Sequence, residues 1–144
     1  MIEKDTVRLL RECDAGIKMG VDSLEDMMKY INSESLCKTL KTSCEEHKKL
    51  QDEVEVLLGK YQDDGKDPNP MLKGMSWVMT NVKLIMKESD AAIADMVTDG
   101  CNMGVKSLSR YLNQYAAADE KSKDIAKRLI HLESQLAVDV RGYL

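Results

Sequence analysis

The chain has 144 residues, 43% of them hydrophobic and 32% charged, with a formal net charge of −4. That length suits one domain with a full hydrophobic core, and a mild acid excess without a basic cluster excludes a nucleic-acid partner. Two prolines, eight glycines, ten methionines and no phenylalanine favour helix over strand, so the expected class is all-α.

The opening segment, MIEKDTVRLLRECD, carries charges throughout and has no apolar core of a signal peptide. No apolar run approaches the ~18 residues of a membrane span. A cytoplasmic protein is expected, with no membrane partner. The cysteines Cys13, Cys37, Cys44 and Cys101 form no CxxC pair, so they read as reduced thiols rather than as a zinc knuckle or a redox motif.

In chain order, Asp5 is the expected cap of a first helix that runs to about residues 30–32. Its inner stripe is Leu10, Cys13, Ile17, Val21, Leu24, Met28 and Ile31, spaced by threes and fours. Ser33 is placed to cap a second helix reaching about Tyr61. The stripe of that helix is Leu36, Leu40, Cys44, His47, Gln51, Val54 and Leu58. So short a break makes an antiparallel hairpin over 5–61.

The strong punctuation DDGKDPNP follows at 63–70. Asn69 with Pro70 predicts the start of a helix over 70–87, striped by Met71, Met75, Val78, Val82 and Ile85. Ser89 then caps a helix with Ala94, Val97, Cys101, Val105, Leu108, Leu112 and Tyr115 inward. Asp119 opens a last helix with Ile125, Leu129, Leu132, Leu136 and Val140 inward, completing a hairpin over 89–143.

The two hairpins echo each other. Residues 16–24 (GIKMGVDSL) match 100–108 (GCNMGVKSL) at six of nine positions, a constant offset of 84 residues. Every stripe residue of the first helix finds its counterpart on the third hairpin helix at that offset, so helical phase is duplicated along with the letters. Two hairpins related by a pseudo-twofold need a connection along the bundle. The 70–87 helix, about 27 Å long at 1.5 Å per residue, is the expected crossover.

The paired GxxMGVxSL segments, the DPNP turn, the crossover segment with Trp77 and the run LSRYLNQYAAADEKS together resemble the ferritin-like superfamily. Within it they resemble the small, functionally uncharacterised bacterial ferritin-like domains. The resemblance implies a ferritin-like four-helix bundle with an extra crossover helix, and it raises the di-iron or di-manganese centre of that superfamily. Such a centre uses a glutamate from each of two helices and a Glu-x-x-His from each of the others.

The residues do not supply it. His47 and His131 keep the 84-residue offset, but Cys44 and Arg128 stand three positions before them, where the motif has glutamate. His47 lies on its stripe while His131 is roughly 140° off its own. Asp14 flanks the first stripe, and Glu12, Asp22, Asp95 and Asp99 point away, leaving no inward carboxylate on those helices. What remains is His47 with Cys13, Cys44 and Cys101, a set able to take zinc or iron if it converged. The preferred reading is a structural histidine bonded to a neighbour such as Gln51, among cysteines that serve as small apolar residues.

Gly16, Gly20, Gly100 and Gly104 make a GxxxG step on each of two helices. A glycine inside a helix costs about 1 kcal/mol relative to alanine. The preferred reason is close approach of the two helices; the other is a groove for a ligand or a partner. Trp77 and Leu84 lie on a flank of the crossover helix and form a candidate homodimer surface. The methionines sit at core spacing, and no catalytic Ser/His/Asp or Cys/His signature is present. The sequence thus predicts a non-catalytic structural or protein-interaction bundle, a homo-oligomer such as a dimer, with no resident cofactor. The alternative is an iron- or zinc-binding redox protein with a degenerate site around His47.

Overall fold

The computed structural model describes residues 2–66 and 89–144. Over them the chain forms four α-helices and no strand: α1 (Ile2–Met28), α2 (Glu34–Gly59), α3 (Asp90–Gln114) and α4 (Glu120–Asp139), then a 3-10 turn at Arg141–Tyr143. Three helix starts follow the capping chemistry of the sequence. The Ser33 hydroxyl accepts from the Leu36 amide (3.2 Å), Ser89 from Ala92 (3.1 Å) and the Asp119 carboxylate from Ser122 (2.8 Å). Each oxygen satisfies an amide that has no partner in the first helical turn.

The start of α1 differs from expectation. It begins at Ile2, and Asp5 caps nothing in its own helix. The Asp5 carboxylate instead accepts the Ala117 amide at 3.1 Å, while the Thr6 hydroxyl accepts the Asp119 amide at 2.8 Å. Two side chains near the start of α1 thus fasten the turn between α3 and α4. The opposite end is fastened in the same manner, since the Asp90 carboxylate accepts the amides of Asn32 and Ser33, both at 2.9 Å. Asp90→Ala removes both acceptors at once. It is expected to lower stability by about 1 kcal/mol, read as a lower urea midpoint with an unchanged m-value.

These two clamps define the topology. The α1–α2 turn meets the start of α3, and the α3–α4 turn meets the start of α1. Around the bundle, neighbouring helices are therefore antiparallel: α1 packs on α2, α2 on α4, α4 on α3 and α3 on α1, and the parallel pair α1 and α4 also touch across the bundle. Helices α2 and α3 run parallel, as two hairpins related by a pseudo-twofold require. The chain leaves α2 beside Arg11, whose guanidinium holds Asp63 at 3.1 Å, and re-enters at Ser89 at the other end. The expected crossover helix over 70–87 lies outside the described residues, as do Trp77 and Leu84. No helix among the described residues is long and apolar enough to cross a membrane.

The core is continuous along the bundle. Leu9, Leu10, Ile17, Leu36, Leu40, Leu58, Ile93, Ile125 and Leu129 are fully buried, and each such side chain contributes about 1.5–3 kcal/mol relative to exposure. Gln51, expected on the inner stripe of α2, is half-buried and bonds Glu55 instead. Leu132 is also half-buried, and its neighbour Glu133 is the buried residue of that turn.

Asp14 corrects the sequence reading as well. Expected to flank the stripe, it is 1% exposed. Burial of a carboxylate needs compensation, and one oxygen obtains it: Oδ2 accepts from Lys18 Nζ at 2.7 Å and from the Lys66 amide at 3.0 Å. That contact fastens the end of the described α2 connection onto α1. It depends on Gly65, whose φ of +90° lies in the left-handed region and whose absent Cβ would meet the Asp14 carboxylate. Gly65→Ala is expected to lose about 1–2 kcal/mol, checked by thermal unfolding.

Candidate functional site

A groove of about 330 Å³ opens between α1 and α3, with α2 and α4 forming its floor. It reaches the lower end of the volumes typical of small-molecule sites. Gly16, Gly20, Gly100 and Gly104 all line it, together with Met19 and Met103 at matching positions of the duplicated segment. Lining a groove is the second of the two readings that the sequence offered for these glycines. A Cβ at Gly16 or Gly100 would meet nothing within 4 Å among the described residues. At Gly20 it would meet the His47 ring at 3.4 Å, and at Gly104 it would collide with the Glu133 carboxylate. The missing side chains make room for two polar groups and for open space rather than for a facing backbone.

His47 and Glu133 therefore sit at equivalent places of the pseudo-twofold, each beneath a groove glycine. They are not register mates, since the offset pairs His47 with His131, which is exposed, and Glu133 with Lys49. The duplicated backbone thus carries an imidazole on one side and a carboxylate on the other. His47 is 1% exposed, and its Nδ1 lies 2.7 Å from the Ser43 carbonyl oxygen. A carbonyl only accepts, so Nδ1 carries the hydrogen, and in the neutral ring Nε2 is left as an acceptor.

That acceptor faces another. The nearest Glu133 oxygen, Oε1, is 3.8 Å from His47 Nε2, beyond hydrogen-bond reach. The second oxygen, Oε2, is buried without a hydrogen-bond partner among the described residues. Protonation of His47 would serve Oε1 and still leave Oε2 without a donor.

The surroundings are apolar and negative. Burial pushes the Cys13 thiol up to about 12, helped by the nearby charges of Glu12, Asp14 and Glu133. Burial also pushes Cys101 up to about 12, with Glu133 as the second cause. Cys44 is raised as well, by burial first, but the charges beside it are Lys48, Glu25 and Glu45. Its sulfur lies 3.9 Å from Glu25 on a different side of the bundle.

The cysteines singled out in the sequence thus divide: Cys13 and Cys101 border the Glu133 region, and Cys44 does not. Among the described residues no group of three or more His, Cys, Asp or Glu side chains is arranged to hold a metal ion. The buried thiols sit far above the range in which a thiolate ligand forms readily.

One end of the groove is polar. Lys66 pairs with Glu12 there, and Tyr111 bonds Glu12, its hydroxyl raised first by burial and then by that carboxylate. Met27 and Met96 line the other end. The described charged residues along the groove are Glu12, Lys66, Asp99 and Glu133, three carboxylates against one ammonium.

Glu133 escaped the sequence reading although the signal was present, and Asp14, outside the groove, was read only as flanking its stripe. Glu133 stands four residues after Leu129 and three before Leu136, and Asp14 four after Leu10 and three before Ile17. Both are in phase with their stripes. Comparison with protein-family models, with curated proteins and with solved structures finds no match for the chain.

Proposed function

We propose that the chain is a non-catalytic binding bundle of ferritin-like architecture whose groove between α1 and α3 holds an apolar small molecule. One observation carries this reading: of four helical glycines that line one groove, all costly to the helices that contain them, Gly16 and Gly100 face open space among the described residues. A duplicated helix pair that needed only a core would gain by filling those positions. The non-catalytic part is supported by His47, whose Nδ1 is committed to the Ser43 carbonyl and whose Nε2 faces a carboxylate. Self-association through Trp77 and Leu84 remains part of the proposal as the way such a bundle assembles.

The test uses N-phenyl-1-naphthylamine, a neutral dye that brightens in apolar sites. Saturable binding of one dye per chain is expected. Gly16→Leu should weaken it at least fivefold, because the new side chain enters the groove without meeting a neighbour at Cβ. Leucine is also the better helix former, so a loss of binding would not reflect unfolding. Absent or unsaturable binding would sink the reading.

A further inference from the structure

We propose that the groove selects organic cations, specifically primary amines carrying an apolar alkyl or aryl body, through the carboxylate of Glu133. The inference rests on the groove reading above and names the ligand chemistry it favours.

Three observations converge on it. First, Glu133 is 8% exposed, yet among the described residues its Oε2 has no hydrogen-bond partner. A buried carboxylate oxygen without a donor is a costly arrangement, and an incoming group that donates would relieve it. Second, the nearest polar neighbour cannot do so. With Nδ1–H held by the Ser43 carbonyl, only His47 Nε2 faces Glu133, and at 3.8 Å from Oε1 it is beyond hydrogen-bond reach. An ammonium has three donors and no acceptor, which matches a site offering Glu133 Oε2, Glu133 Oε1 and His47 Nε2. A carboxylate ligand would add a third acceptor, and a hydroxyl could serve only one of them.

Third, the field has one sign. Asp99 and Glu133 add to Glu12 along the groove, and the single described ammonium there, Lys66, is already paired with Glu12. The thiols of Cys13 and Cys101 are raised first by burial, and the negative charge at Glu133 adds to both. Beside this polar point the walls are mostly methionine, leucine and glycine, with Ser23 and Ser107 as hydroxyls among them, so most of the guest is apolar. Methionine suits guests of varied shape, because its flexible thioether fills irregular space.

Gly104 is the residue that makes the carboxylate available. Its missing Cβ is where Glu133 places its Oε2 side, so the carboxylate abuts the groove wall instead of being pushed back into the core.

The deciding experiment is competition against bound N-phenyl-1-naphthylamine by three compounds of one shape: 4-phenylbutylamine, 4-phenylbutan-1-ol and 4-phenylbutanoate. The amine is expected to displace the dye at least tenfold better than the alcohol, with the acid weakest. In Glu133→Gln the amine and the alcohol, each competed against the dye bound to that same variant, should fall within about twofold of each other.

Dye binding without an amine preference, or with a preference that persists in Glu133→Gln, would overturn the cation proposal and leave the groove reading standing. No dye binding to the full chain, as when its own residues fill the groove, would overturn both. Should Glu133→Gln fail to fold, the wild-type ranking of the three compounds decides alone.

Discussion

Raising the pH from about 8 to about 10.5 is expected to remove about 4 kcal/mol of unfolding free energy through two thiols, Cys13 and Cys101. Both are pushed by burial from an ordinary 9.0 up to about 12 in the folded chain. Below 9 both states keep the thiols protonated, so that stability is fully present. Between 9 and about 12 the unfolded chain releases protons that the folded chain still holds. The unfolded state then binds fewer protons, and stability falls as pH rises, by up to about 1.4 kcal/mol per pH unit for each thiol. The decline levels off once the folded thiols also ionise near 12.

Tyrosine and lysine titrate in the same window, so the comparison must be differential. Urea unfolding would be followed across the pH series for the wild type and for a Cys13→Ala/Cys101→Ala variant. The variant starts lower, because each truncation leaves a small void, but it should lose about 4 kcal/mol less on the way to pH 10.5. Parallel decline of the two proteins would show that the thiols are not buried as described. Alkylation gives a second reading, since thiolate is the reactive form. At neutral pH the half-buried Cys37 should react well ahead of Cys13 and Cys101, with mass spectrometry identifying the sites.

The bundle was legible in the sequence because its signal is redundant. Stripes of five to seven residues, three polar caps and a duplicated phase all specify the same helices, and Ser33, Ser89 and Asp119 cap them as their chemistry demands. The site was less legible for a physical reason. Periodicity was read from apolar residues alone, so Glu133 and Asp14, which share the phase of the stripes, were left outside. A buried carboxylate is rare enough that its letter argued against its position.

The glycines were ambiguous for a different reason. A GxxxG step specifies a lack of side chains, and the same lack serves a tight helix crossing and an open groove equally well. Only the positions of His47 and Glu133 against Gly20 and Gly104 separate the two, and those depend on how far apart α1 and α3 are held. Asp5 shows the same limit on a smaller scale: its capping chemistry was recognised, but the amide it serves, Ala117, is 112 residues away.

Glu133→Met is expected to stabilise the protein by about 1–3 kcal/mol, the opposite of what most core substitutions do. Methionine keeps the length of the side chain and fills irregular space, while the buried Oε2, which lacks a partner, disappears. The Oε1 contact at 3.8 Å from His47 is too long to return much of what the burial costs. His47 is not orphaned by the change, since its Nδ1 hydrogen stays with Ser43. A rise in the urea midpoint, with the bundle's helical signal unchanged, would mark Glu133 as a residue kept against the interest of the fold. A loss of stability would mean that the carboxylate is satisfied by the protein itself, and the case for a cationic guest would fall with it. The sign of this one substitution therefore links the energetics of the core to the chemistry of the groove.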